Sequence, residues 1–193
     1  MPSPVADLLR DLSRAFSELG VPWYLFGAQA ALLYGAARLT ADVDVTVRLD
    51  ERISVDATVD RLQKHGFRLR ATDPAFIRQT RVLPIVHEAS GMPADIVLAG
   101  PGLEDVFLQR VVVHDIEGVA VPVTSPEDLI VMKVLAGRPK DVEDIVAILA
   151  SQSGRVEVAV IRGLLQDLES ALGQSDLVPL FEKARARAEA AGR

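Results

Sequence analysis

WYLFGAQAALLYGAARLTADVDVTVRL, residues 23–49, is the stretch on which the fold turns. VPWYLF (21–26) reads as a short strand that Gly27 breaks. The alanine- and leucine-rich run 28–36, with Tyr34, suits a short buried helix. From Asp42 to Val47 acid alternates with valine, then threonine with valine, which is the period of a strand. Side chains two apart on a strand share a face. Asp42 and Asp44 therefore stand side by side, while Val43, Val45 and Val47 pack on the core. Two carboxylates this close repel each other unless a cation lies between them. Mg2+ (or Mn2+), held by hard oxygen ligands, is the simplest such cation.

ADIVLAG, residues 94–100, supplies a third acid in Asp95, again at the edge of an apolar strand. If that strand neighbours 42–47, three carboxylates converge. Paired metals about 3.5–4 Å apart would then clamp the attacking and leaving oxygens of a phosphoryl displacement. The plainer reading of D-V-D is a strand end with solvated acids. Gly27 sits where a strand meets a helix, a place where backbone N–H groups and the helix dipole receive phosphate. Glycine there lets a triphosphate approach the backbone, although a tight turn alone would also account for it. Together an anion cradle and a pair of metal-binding carboxylates make a nucleotide site.

Outward from this stretch, residues 4–19 have helical apolar spacing ended by Gly20, and 54–65 form a helix stopped at Gly66. FRLR, FIRQTRVL, PIVHEA and ADIVLA, between 67 and 99, read as strands, and VVVHD with VAVPV as a hairpin around I-E-G. From Ser125 the chain is helical, with Ser125 as N-cap, Pro126 at the first helical position and Asp128 placed for a capping box. The expected fold is α/β (α+β): a mixed sheet flanked by helices over 1–124, and a helical C-terminal region, 125–193, packed on that core.

With 193 residues, 49% of them hydrophobic, the chain has ample material for a core. No apolar run approaches the ~20 residues of a membrane helix. The amphipathic, early-acidic N-terminus reads as a helix and not as a signal peptide. Zero cysteines exclude disulfides and thiolate sites, so a cytoplasmic protein is the default. The net charge of −6 argues against a general nucleic-acid coat. Residues 61–81 nevertheless gather six cations (Arg61, Lys64, Arg68, Arg70, Arg78 and Arg81) against Asp73 alone, either a phosphate-facing patch or a solvated surface. His65, His87 and His114 lack zinc-site spacing and suit surface or satisfied core positions. Trp23 suits the core.

Gly27-Ala28 followed by Asp42-Val43-Asp44 resembles the Gly-(Gly/Ser)…Asp-x-Asp signature of the DNA polymerase β-like nucleotidyltransferase superfamily. The fuller stretch FGAQAALLYGAARLTADVDV is most similar to the AbiEii-type toxin and minimal nucleotidyltransferase branch, with Gly35, Arg38 and Thr40 fitting that pattern. SPEDLIVMKVLAGRPKDVEDIVAIL is similar to a second block of the same branch and supplies Lys133, Arg138, Lys140, Asp141 and Asp144. The resemblance implies metal-dependent transfer of a nucleoside monophosphate from an NTP to an acceptor, with pyrophosphate released. It implies Asp42 and Asp44 as metal ligands, and Asp95 as a third ligand that helps deprotonate the acceptor hydroxyl. The backbone of Gly27, Ala28 and Gln29 would hold the β- and γ-phosphates, and Lys133 would sit near them. Lys133 read by its helix alone is a snorkelling surface lysine, and Lys140 with Asp144 a surface pair. An RNA, tRNA, protein or small-molecule acceptor and an antitoxin partner belong to the same implication. Ala28 departs from the family's serine or glycine and removes a hydroxyl contact to phosphate, which leaves a nucleotide-binding module without transfer as the alternative.

Overall fold

A computed structural model describes residues 3–37, 40–71 and 73–191. Among them are nine helices and seven strands, the strands forming one mixed sheet. The chain divides into two compact units, Met1–Gln29 with Thr40–Thr124, and Ala30–Leu39 with Ser125–Arg193.

The first unit opens with α1 (Pro4–Leu19), capped by Ser3, whose hydroxyl accepts from the Ala6 N–H, and closed by Gly20 in the left-handed conformation. Its apolar face buries Leu8, Leu9, Leu12 and Phe16 completely, and Phe16 meets Trp23 ring to ring at 5.5 Å. Then follow β1 (Trp23–Phe26), α2 (Gly27–Leu33, of which only Gly27–Gln29 belong to this unit), β2 (Val43–Val47), α3 (Val55–Lys64), β3 (Phe67–Leu69), α4 (Pro74–Thr80), β4 (Val82–His87), β5 (Pro93–Leu98), α5 (Leu103–Gln109), β6 (Val112–Ile116) and β7 (Val119–Val123). The sheet order is β3-β4-β5-β2-β1-β7-β6. β2 pairs with β5 and β1 with β7 in parallel, and the remaining pairs are antiparallel. Val43, Val45 and Val47 are wholly buried, as their alternation with Asp44 and Thr46 requires.

One expected strand is overturned. FIRQTRVL (76–83) reads as extended, yet Phe76–Thr80 lie in α4 and only Val82 and Leu83 fall in a strand, β4. Asp73 caps that helix, its carboxylate accepting from the Ala75 N–H at 2.8 Å, and Pro74 takes the first turn. A capping acid followed by proline is a helix start, and here it sets the conformation of the residues that follow. α5 lies in a segment to which the sequence pattern gave no element.

The second unit holds α6 (Pro126–Ala136), α7 (Pro139–Ser151), α8 (Val158–Leu172) and α9 (Leu177–Ala191). Ser125 caps α6 as expected, accepting from the Asp128 N–H at 3.1 Å. α6 is apolar nearly all round and is packed by α7, α8 and α9, which satisfies that composition. Gly35 closes onto α7 within the same unit: at φ +99°, a Cβ there would meet the Ser151 Oγ at 2.2 Å. No helix among the described residues is long and apolar enough to cross a membrane.

Candidate functional site

The acidic face is built by strand register. β1 and β2 are antiparallel with Phe26 opposite Asp44, and β2 and β5 are parallel with Asp44 opposite Asp95. Asp44 and Asp95 thus stand on neighbouring central strands at the same height and on the same face. Asp42 lies immediately before β2, exposed, and accepts a hydrogen bond from the Thr40 hydroxyl. The strand neighbourhood expected for Asp95 is therefore present. Among the described residues, however, no three His, Asp or Glu side chains gather closely enough to hold a metal ion. The register brings Asp44 and Asp95 together and leaves Asp42 at the strand's entry.

Gly27 joins β1 directly to α2 with φ +69°, in the left-handed region. A Cβ at this position would stand 2.1 Å from the Asp44 Oδ2 and 2.9 Å from the Asp44 Cβ and Cγ. The glycine is thus demanded twice, by the sharp strand-to-helix corner and by the carboxylate packed against its Cα. Ala28 turns inward, only 6% exposed, while Gln29 is half-buried. Arg38 falls outside the described residues.

Asp95 carries a partner that sequence spacing does not reveal. The Arg70 guanidinium donates to the Asp95 carboxylate, and Arg70 Nε donates to the Ile85 carbonyl at 2.9 Å. Arg70 lies 25 residues from Asp95 and meets it only through sheet pairing. Two of the other five cations of 61–81 are engaged elsewhere: Arg61 pairs with Glu18, and Arg81 caps the Leu98 and Ala99 carbonyls at 3.0 and 2.8 Å.

The second sequence block folds within the helical unit. Lys133 on α6 is 5% exposed, its Nζ 2.6 Å from the Asp144 Oδ2 and 3.5 Å from the Asp141 Oδ1, both on α7. Arg138, before α7, grips Asp141 through two nitrogens. Burial opposes ionisation of Asp141, but Arg138 and Lys133 together hold its carboxyl below the usual carboxylate range. Lys133 does not snorkel, and Asp144, 4% exposed, is a buried partner and not a surface one. The lysine and two aspartates form a buried charge cluster that ties α6 to α7, with the exposed Arg138 closing it from outside.

Of the histidines, His87 is buried, with Nδ1 at 2.8 Å from the Ser90 Oγ and Nε2 at 3.1 Å from the Asp11 Oδ2. It is a satisfied core histidine. Tyr24, beside the acidic strands, has its phenol pushed up to about 12 by burial and remains neutral at physiological pH.

Hard carboxylate oxygens on adjacent strands suit magnesium, which usually takes one or two carboxylates and fills the rest of its shell with substrate phosphate and water. Asp44 and Asp95 meet that donor set.

Comparison with known proteins bears on the same region. Residues 17–176 match a family described as nucleotidyltransferase of unknown function (DUF6036). No curated protein matches the chain. Among solved structures, an antigenic nucleotidyltransferase-like protein from Paracoccidioides brasiliensis is similar with a TM-score of 0.55 at 19% identity, over 89% of this chain and 94% of that one. The antibiotic-resistance factor ANT(2'')-Ia is similar with a TM-score of 0.58 at 16% identity, over 88% and 94%. At such identities the likeness concerns the fold, which is that of the nucleotidyltransferases.

Proposed function

We propose a function from one premise: the chain belongs to the DUF6036 family of nucleotidyltransferases. The reading is that it transfers a nucleoside monophosphate from an NTP to an acceptor hydroxyl, with Mg2+ or Mn2+ as the metal. The acceptor oxygen forms a bond to the α-phosphorus, the bond from that phosphorus to the bridging oxygen of pyrophosphate breaks, and pyrophosphate leaves. The hydroxyl proton passes to the Asp95 carboxylate. Asp44 and Asp95, with Asp42 at the strand entry, would hold the cation, whose chemistry is to neutralise charge on the triphosphate. The backbone at Gly27, Ala28 and Gln29 would receive the β- and γ-phosphates. Thr40 orients Asp42 through its hydroxyl.

The observation that supports this reading best is the contact between Gly27 and Asp44, set beside the Asp44–Asp95 register. It puts the glycine corner and the acidic face within one side chain of each other. Calorimetry with MgNTP, followed by transfer of α-labelled phosphate to RNA and protein acceptors, tests the reading. The expected outcome is binding and transfer by the native chain, both lost in the double variant Asp42→Ala with Asp44→Ala. Failure of the native chain to bind any MgNTP overturns it. Binding without transfer to any acceptor favours a nucleotide-binding module.

A further inference from the structure

Arg70 follows the last residue of β3, and its N–H donates to the Pro84 carbonyl at 2.8 Å, extending the β3–β4 ladder by one step. Pro84 is registered opposite Asp95, and Asp95 opposite Asp44. Arg70, Pro84, Asp95 and Asp44 therefore form one row across the sheet. Proline at the intervening position presents only a short ring, and the arginine reaches beyond it to the carboxylate. The Ile85 carbonyl steadies the guanidinium at Nε while its far nitrogen engages Asp95.

We propose that Arg70 is a resident counter-ion of the acidic face, competing with a divalent cation for Asp95, so that metal binding works against its hold on that carboxylate. This rests on the nucleotidyltransferase reading above. Asp95 is the register partner of Asp44, and Arg70 holds Oδ1, one of the two oxygens that Asp95 could offer a cation shared by the pair. A guanidinium and a divalent cation repel each other, so each weakens the other's hold on one shared carboxylate. The pair is open to solvent, with side chains 40% and 38% exposed, which sets its strength. Exposed ion pairs contribute roughly 0.2–1 kcal/mol, a grip weak enough to be displaced and strong enough to be measured. The geometry thus keeps the acidic face partly neutralised in the absence of metal.

The test is titration of the full chain with Mn2+ alone, read from the electron paramagnetic signal of free Mn2+. Removing the competitor in Arg70→Gln is expected to tighten Mn2+ by about 1.4- to fivefold, the range an exposed pair supplies. Arg70→Lys retains the charge and is expected to stay near the native affinity. In an Asp95→Asn background, Arg70→Gln is expected to change nothing. Trp23 fluorescence melts of each variant establish that the fold persists. Equal or weaker Mn2+ binding by Arg70→Gln, with MgNTP binding intact, overturns the competition and leaves the nucleotidyltransferase reading standing. Absence of both Mn2+ and MgNTP binding in the native chain overturns both.

Discussion

Replacing Gly27 by alanine separates two demands that the corner makes on that residue. The first is backbone: at φ +69° an L-residue costs about 1–2 kcal/mol. The second is contact, because the new Cβ would fall 2.1 Å from the Asp44 Oδ2 and 2.9 Å from the Asp44 Cβ. Rotation of χ1 can carry the carboxylate oxygen away, but the Asp44 Cβ is fixed by its backbone and stays too close. Overpacking of this kind costs about 1–3 kcal/mol, so the total is about 2–5 kcal/mol. Gly20 provides an internal control. It has φ +66° and nothing within 4 Å of a built Cβ, so Gly20→Ala incurs the backbone term alone. Urea denaturation followed by the fluorescence of Trp23, the single tryptophan, reads both variants, because Trp23 lies on the strand that leads into Gly27. Gly27→Ala is expected to lose about 1–3 kcal/mol more than Gly20→Ala. Asp44→Gly removes the offending Cβ, and in a double-mutant cycle it is expected to show a coupling of similar size. Equal losses at Gly20 and Gly27, or a coupling below about 0.5 kcal/mol, refute the steric argument.

Three further outcomes concern the helical unit. Lys133→Met removes the ammonium that faces two buried carboxylates and is expected to destabilise by about 3–5 kcal/mol in urea, with Lys133→Met plus Asp144→Leu recovering part of the loss. Asp141 is a stronger acid folded than unfolded, so its contribution is complete above the ordinary carboxylate pKa and is lost as pH falls through its depressed folded value. The stability gap between the native chain and Asp141→Asn is therefore expected to be constant from about pH 7 to 5 and to narrow below about pH 4; widening on acidification contradicts the assignment. Ser125→Ala is expected to cost about 1 kcal/mol and to leave α6 intact by far-ultraviolet circular dichroism.

Local chemistry carried much of the fold to the surface of the sequence. Ser125-Pro126 announces α6, Gly20 ends α1, and the alternation around Asp44 sets the buried and open faces of β2, because each of these signals acts within a few residues. What lay beyond reach depends on pairing at a distance. Arg70 meets Asp95 only after β4 is laid between β3 and β5, and no motif at Arg70 says so. Lys133, read by its helix alone, looks like a snorkelling surface residue; its burial follows from the packing of α7, which brings Asp141 and Asp144 to it. α4 is legible in Asp73-Pro74, although the same Asp-Pro pair also reads as a turn between strands. At the acidic face, the adjacency of the Asp44 and Asp95 strands could be anticipated from two acids opening two apolar runs, while the arginine that reaches Asp95 from two strands away could not.

The contact between Gly27 and Asp44 also changes what the two positions mean as characters in evolution. They lie 17 residues apart, yet they occupy one volume. While an acid stands at 44, position 27 has no room for a side chain, and a lineage that acquires one at 27 must first shrink or move the residue at 44. Their joint presence in a sequence therefore records a single constraint on shape. A chain could keep both residues for that reason long after losing any chemistry performed beside them.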